Sequence, residues 1–464
     1  MISNEVLERF AQQSPMTMMA QLGLERALDE KWIDEMFERE SKTQYTKELL
    51  FSTVVEVSSL VAMGLRPSIH AAAKSLQLPV SFQALYEKLR NTETEVVRGL
   101  VSGGAQRLKP VVAELIKEQA PIFKGYRLRI VDGNHLPGSE KRLKELRKVR
   151  GAALPGQSLV VYDPDLDMAV DVLPWEDAHS QERMVMNALM SSAQAGDLWI
   201  ADRNFCTRPI LCGLIGHGSH FLIREHGVNP NPTAVSKLKR IGRVETGMLY
   251  EQAVSIVEQQ GEEPVVHLLR RIELHLDEAT EDGERVIRLL TNVPDRVEPE
   301  SLAQLYRRRW RIENMFQRLE SVLHSEVRTL GAPRAALLAF GVALLAYNVL
   351  TLLKTAVRIQ HARTLKKEQM EISPFYIAVE IRACYAGMIL AMAVAMDEWQ
   401  RYQSVNDKQL SKLLLKLAAN VDPKRFRSHP RKPKVKKKKG YASKLAVSSH
   451  VSTARLLTKG KKSP

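Results

Sequence analysis

Hydrophobic residues recur at helical spacing through residues 1–118, and the pattern changes to short alternating segments from Tyr126 onward. Four segments have the character of strands: 127–133, 158–163, 168–173 and 197–202. A helix is predicted from about residue 180 to 195, closed by Gly196. Three strands, a helix and a fourth strand predict a compact α/β unit.

Downstream, the sequence predicts a short helix at about 207–216, a strand at 220–225 and then a β-rich stretch. Helical character resumes at Pro299 and continues to about Asn420. We therefore predict a helical N-terminal DNA-binding domain (1–120), an α/β catalytic core (121–224 and 295–355), a β-rich insertion (225–294), a helical C-terminal region (356–422) and a disordered basic tail (423–464).

The charge of the chain is concentrated at its C-terminal end. The formal net charge is +15, from 68 Lys and Arg against 53 Asp and Glu. Residues 423–464 contain fifteen Lys or Arg and no acidic residue, so the rest of the chain is electrically balanced. We expect Lys436, Lys437, Lys438 and Lys439 to bind DNA phosphates without sequence preference.

The hydrophobic content of 44% is sufficient for real cores and excludes a wholly disordered chain. Three cysteines cannot form a disulfide framework, and the N-terminus lacks the pattern of a signal peptide, so we expect a cytoplasmic, nucleoid-associated protein of bacterial type. Residues 335–353 carry no charge and have the length of a membrane span. A buried core helix is favoured over a span, because Gly341, Tyr347, Asn348 and Thr351 interrupt the segment.

Residues 68–90 have the proportions of a helix-turn-helix. Ala71, Ala72 and Ala73 provide small residues in the first helix, a Pro lies in the turn, and Ser81 is placed to cap the second helix. Such a unit can lay its second helix in the major groove of DNA. An ordinary helical hairpin would show the same pattern, and the sequence leaves both interpretations open.

Asp132 and Asp202 stand at the ends of apolar strands, where a carboxylate is held rigidly at the edge of a sheet. Taken singly, each is more often a turn or cap residue. The segment 299–323 predicts a helix on which Tyr306, Arg309 and Glu313 share one face beside an apolar stripe. Glu313 therefore lies at the border of core and solvent, where it could bind a metal.

Three carboxylates without a His or Cys cluster favour a hard cation, Mg²⁺ or Mn²⁺. Two such ions could support phosphoryl transfer on a nucleic acid. The neighbouring arginines could neutralise phosphates, although a solvated basic helix face explains some of them equally well: Arg307, Arg308, Arg309 and Arg311.

Asp132 in VDGN, Asp202 in GDLWIADRNF and the segment YRRRWRIENMFQRLE together resemble the DDE transposases of the insertion-sequence-four group, whose signature is Y-x2-R-x3-E-x6-K. The resemblance covers most of residues 120–355. It implies an RNase H-like core with Asp132, Asp202 and Glu313 as catalytic ligands of two divalent metal ions, supported by Tyr306 and Arg309. It also implies cut-and-paste movement of an insertion sequence. The expected partners are double-stranded DNA, namely the terminal inverted repeats of the element and the target DNA. A homodimer is expected on DNA, and no membrane partner is expected.

The chain departs from this signature at one position. Glu320 stands where the signature has Lys, and a carboxylate there would repel phosphate unless Arg318 or another arginine substitutes for the missing Lys. Two readings follow. The acidic triad favours an active transposase, whereas Glu320 favours a transposase-derived DNA-binding protein with impaired catalysis.

Overall fold

The computed structural model describes residues 2–46, 48–180, 185–260, 263–280, 283–429 and 450–461. Before the first strand, the described part contains helices α1 (Ile2–Gln13), α2 (Pro15–Ala27), α3 (Glu30–Glu40), α4 (Phe51–Ala62), α5 (Ile69–Ser75), α6 (Phe82–Asn91) and α7 (Thr94–Ile116). Helices α5 and α6 lie where the sequence predicts a helix-turn-helix. The Ser81 hydroxyl caps α6 by accepting a hydrogen bond from the Ala84 N–H at 3.2 Å, as the sequence predicts.

A mixed sheet follows the N-terminal helices. Its first strands are β1 (Arg127–His135), β3 (Gln157–Asp163), β4 (Met168–Trp175), β5 (Asp197–Ala201) and β6 (His220–Arg224), while β2 (Ala152–Leu154) lies outside this sheet. The order is β4-β3-β1-β5-β6, with β3 antiparallel to both neighbours and β1, β5 and β6 parallel. Three antiparallel strands followed by two parallel ones form an RNase H-like core, which confirms the predicted α/β class.

The alternation of side chains along the strands gives this sheet two apolar faces. Leu128, Ile130 and Ile200 belong to a large cluster that includes the N-terminal helices and the C-terminal part of the chain. Val131 and Trp199 point to the opposite face, where α8 (Met186–Met190) and α9 (Arg208–Gly216) cover the sheet. The core strands are therefore buried between two helical layers.

The β-rich insertion continues the core sheet. Its strands are β7 (Thr233–Ala234), β8 (Lys239–Val244), β9 (Gly247–Gln260), β10 (Glu263–Leu276) and β11 (Val286–Thr291). Strand β11 pairs with β6, β10 with β11, and β9 with β10, so ten described strands share one sheet. Since the hydrogen bonds run unbroken from core to insertion, the long β9–β10 hairpin is held at a fixed direction relative to the core.

The C-terminal part is helical. It contains α10 (Pro299–Tyr306), α11 (Trp310–Val322), α12 (Pro333–Gln360), α13 (Ala362–Lys367), α14 (Pro374–Val394), α15 (Met396–Gln403) and α16 (Asp407–Ala419). Both α12 and α14 are long and apolar enough to cross a membrane, but the most apolar stretch of α12 is wholly buried inside the protein. The predicted core helix at 335–353 is therefore confirmed, whereas only 28% of the corresponding stretch of α14 is buried.

One predicted helix is largely wrong. The sequence predicts a helix over 180–195, but α8 spans only Met186–Met190, and residues 191–195 are turns and irregular backbone. The hydroxyls of Ser191 and Ser192 donate hydrogen bonds to backbone carbonyls three residues earlier, which favours a turn over a continuing helix. Residues 181–184 lie outside the described part.

The prediction of disorder throughout 423–464 is also wrong for both ends of the tail. Residues 423–426 form a 3-10 turn, β12 (His450–Ser452) pairs in parallel with β2, and α17 (Thr453–Lys461) follows. Arg455 forms an ion pair with Asp177 at 2.8 Å, which ties α17 to the core. Residues 430–449, with the four predicted DNA-binding lysines Lys436–439, lie outside the described residues.

Candidate active site

Asp132 lies on β1, and Asp202 comes directly after the adjacent parallel strand β5. Strands β1 and β5 pair with Ile130 opposite Ile200, so each Asp lies two residues beyond that pair, on the face to which the two Ile residues point. The Asp132 carboxylate accepts a hydrogen bond from the Gly133 N–H at 2.9 Å. Asp202 caps the next turn by accepting from the Asn204 N–H at 2.8 Å. Asp202 thus caps a turn and also faces the candidate site.

Glu313 comes to these strands from a broken helix. The sequence predicts one helix over 299–323, but Arg307–Arg309 form a 3-10 turn between α10 and α11. Ile312, Met315 and Leu319 are buried, and they hold α11 against the rest of the protein. Glu313 lies in the first turn of α11 with its side chain 27% exposed, at the border of core and solvent as predicted.

Arg309 links two of the three carboxylates. Its guanidinium donates to Asp132 Oδ2 at 3.0 Å and pairs with Glu313 Oε1 at 2.7 Å. The Arg309 side chain is only 14% exposed, so these charges interact in a poorly solvated place. Tyr306 is hydrogen-bonded to Arg309, and burial raises the pKa of its phenol to about 12. The structure therefore brings together Tyr306, Arg309, Asp132 and Glu313.

The three carboxylates are close enough to affect each other but not as close as ligands of a single ion. The pKa of Asp132 is raised from its ordinary 3.8 to about 6, mainly by burial; Arg309 opposes the increase, and the charges of Asp202 and Glu313 contribute to it. Within the described residues, Asp132, Asp202 and Glu313 do not place three oxygens within 4.8 Å of one another. Arg309 supplies the positive charge between Asp132 and Glu313.

The other predicted arginines are placed differently. Arg307 is exposed and forms an ion pair with Glu245 at 3.0 Å, and Arg308 is also exposed. Arg311 donates to the Pro164 carbonyl at 2.9 Å. Arg318 is hydrogen-bonded to Tyr347 within a buried cluster around Asp167. Arg318 is therefore engaged inside the protein, and it does not supply the positive charge that a Lys at position 320 would provide.

Trp310 was missed by the sequence reasoning. Its side chain is 61% exposed, three residues before Glu313, and the Arg309 guanidinium lies 5.4 Å from the centre of its ring. A large exposed aromatic side chain beside an acidic site is available to contact a ligand. The sequence did carry a signal for this residue, because Trp310 stands within a run of arginines. A surface that bound phosphates by charge alone would not need an aromatic residue there.

The comparisons with known proteins include one family match. Residues 123–349 match the family described as the transposase DDE domain, a range that contains Asp132, Asp202 and Glu313. No curated protein matches the chain. Among solved structures, it is similar to a piggyBac transposase in a synaptic complex with hairpin DNA, with 10% identity over 88% of this chain and 86% of that one and a TM-score of 0.43.

The raised pKa of Asp132 predicts a pH-dependent cost to stability. Folded Asp132 binds its proton more tightly than unfolded Asp132, so the folded state loses stability as the pH rises from about 4 through 6. Relative to Asp132→Asn, which does not titrate, the parent should lose up to about 3 kcal/mol of unfolding free energy over that range. Urea unfolding at several pH values in EDTA measures the difference.

Asp295→Asn is the matched control, because the Asp295 side chain is 96% exposed. It should leave the pH dependence of the parent unchanged. A constant difference between the parent and Asp132→Asn at every pH would show that burial does not penalise the Asp132 carboxylate.

Proposed function

We propose that the protein is a DNA transposase that cleaves the ends of an insertion sequence and joins them to target DNA in cut-and-paste transposition. The observation that carries the proposal is the register of β1 and β5, which sets Asp132 and Asp202 side by side, with Glu313 tied to Asp132 through Arg309. The transposase DDE domain match covers all three residues.

The donor set fits Mg²⁺ or Mn²⁺, because Asp132, Asp202 and Glu313 offer oxygen ligands. Two such ions would activate a water or a 3′-hydroxyl and stabilise the leaving oxygen of a phosphodiester. Arg309 bonds to one oxygen of each of two carboxylates, Oδ2 of Asp132 and Oε1 of Glu313, so the second oxygen of each can still serve as a ligand. We propose that Tyr306 helps to keep Arg309 beside the site through their hydrogen bond.

The surface next to Glu313 suits a DNA backbone. The side chains of Arg307 and Arg308 are exposed there, and Trp310 presents its ring to solvent. Arg307 and Arg308 can neutralise phosphates, and the indole can stack on a sugar or an unpaired base. We also assign nonspecific phosphate binding to the tail lysines Lys436–439.

We propose that α5 and α6 bind the terminal inverted repeats. Gln83, Tyr86 and Arg90 on α6 are exposed and spaced three and four residues apart, so they form one helix face that could enter a major groove. An insertion sequence has two ends, so the proposal includes a homodimer on DNA.

Arg90→Ala and Gln83→Ala should weaken binding to the repeats more than binding to unrelated DNA, as measured by competition; equal losses would contradict base recognition.

The triad makes a strict prediction about activity. Asp132→Asn, Asp202→Asn and Glu313→Gln should each reduce end cleavage in Mg²⁺ by at least about a thousandfold, because each removes an ionised ligand. All three should still bind the repeats. Cleavage is measured on labelled DNA carrying the element's own ends, and Asp295→Asn should cleave like the parent.

The same assay separates the two functional readings. If the parent binds the repeats specifically and does not cleave them in Mg²⁺ or Mn²⁺, the protein is a transposase-derived DNA-binding protein, and the proposal of an active enzyme is wrong. The observation behind that alternative is Glu320, which is exposed on α11 two helical turns beyond Glu313.

Glu320→Lys tests how much this departure costs. It replaces an exposed negative charge with the positive charge of the signature, so binding of DNA ends and cleavage should rise several-fold at low salt and less at high salt. Glu320→Gln should give an intermediate gain, since it removes the repulsion without adding an attraction. A decrease with both variants would show that Glu320 has a role of its own.

A further inference from the structure

We infer that Cys212, Glu258 and His267 form a zinc site that joins the core to the β-rich insertion. The thiol, one carboxylate oxygen and one ring nitrogen all lie within 4.8 Å of one another. Among the described residues, this is the one set of three or more His, Cys, Asp or Glu side chains that meets so closely. The site lies on the face of the sheet opposite to Asp132, and the inference does not depend on the proposed function.

The backbone arrangement holds the three side chains together. His267 on β10 pairs directly with Ile256 on β9, and Glu258 lies two residues further along β9, so both polar side chains point to the same face of the hairpin. Val254, Ile256 and Leu269 on that face are buried in the cluster that contains Cys212 from α9. Helix α9 and strands β9 and β10 therefore each bring one of the three side chains to this apolar cluster.

The chemistry of the three donors selects zinc over magnesium. A thiolate and an imidazole are typical ligands of Zn²⁺, and Mg²⁺ prefers oxygen alone. Thiolate, carboxylate and neutral imidazole carry two negative charges together, so bound Zn²⁺ would make the site neutral. A neutral site avoids the free-energy cost of burying an unbalanced charge, since the side chains of Glu258 and His267 are only 25% and 17% exposed.

The observed distances require little movement. His267 Nε2 lies 2.7 Å from Glu258 Oε2, and the Cys212 thiol is hydrogen-bonded to the same carboxylate. Ligand atoms in tetrahedral zinc sites are separated by roughly 3.3–3.7 Å, given bond lengths of about 2.0–2.3 Å. Zinc would thus replace the hydrogen bonds of this cluster after an opening of about 1 Å, and a water could complete the coordination.

Such a site would have a mechanical consequence. Helix α9 follows Asp202 after one 3-10 turn, and Glu258 and His267 lie near the end of the long β9–β10 hairpin. A bound ion would fix the hairpin to the helix that follows a candidate catalytic residue. Zinc would then stabilise the folded state, because it would bind that state more tightly than the unfolded chain.

The test uses the full chain with saturating Mg²⁺, so that the oxygen-rich carboxylates of the candidate active site do not take the probe ion. Co²⁺ is titrated first, because a thiolate bound to Co²⁺ gives a charge-transfer absorption band that oxygen ligands do not. Zn²⁺ should displace one equivalent of Co²⁺ and raise the melting temperature. No DNA is present, so the result is separate from cleavage activity.

Cys212→Ser should remove the thiolate band, and Glu258→Gln and His267→Gln should each weaken Zn²⁺ binding by at least about a hundredfold. The chain provides matched controls. Among the described residues, no third metal-binding side chain joins His275 and Glu273, which pair on β10 at 3.0 Å, and Cys384 is a free cysteine on α14. His275→Gln and Cys384→Ser should bind Zn²⁺ like the parent.

Three results would contradict the zinc site. If the parent shows no thiolate band and no zinc-dependent rise in melting temperature, the inference is wrong. It is also wrong if the band survives Cys212→Ser. Because Glu258 and His267 are partly exposed, their variants should fold even if Cys212→Ser does not, and normal zinc binding in both would equally overturn the site.

Discussion

The burial of α12 is the constraint on which the rest of the structure depends. Its apolar residues pack on the core sheet and on helices from both ends of the chain, so one hydrophobic cluster runs from Leu7 to Phe426. Each fully buried leucine contributes about 2 kcal/mol. Asn348 is a fully buried polar residue of this helix, and its amide is satisfied by the N–H and C=O of Ala169. Helical and α/β regions therefore form a single body around this helix.

That body has to hold three carboxylates near each other, which costs free energy. The cost is visible in Asp132, whose carboxylate is buried beside two other acids. Arg309 offsets part of it by bonding to Asp132 and Glu313 at once. A site that holds several carboxylates close together is suited to bind cations, because a bound cation reduces the electrostatic repulsion between the carboxylates.

The strands, the core helix and the motif segment were predictable because their signals are local. Alternation identified the five core strands, and the uncharged run at 335–353 identified a core helix. Other features depend on distant contacts. The short α8, the 3-10 turn at Arg307–Arg309 and the pairing of β12 with β2 each arise where hydrogen bonds or packing override the local pattern.

By itself, the sequence determined which side chains could serve the site, because Asp132 and Asp202 follow apolar strand segments and Glu313 borders an apolar helix stripe, although β1 continues past Asp132 to His135. It also determined that the excess positive charge lies in the tail. Only the tertiary structure decided that Arg309 bridges two carboxylates, that Arg318 faces an internal cluster and that Cys212 meets Glu258 and His267. The pair of Arg309 and Glu313 is local, but the contact of Arg309 with Asp132, the internal cluster around Arg318 and the approach of Cys212 to Glu258 and His267 join residues far apart in the chain, and periodicity carries no information about such pairs.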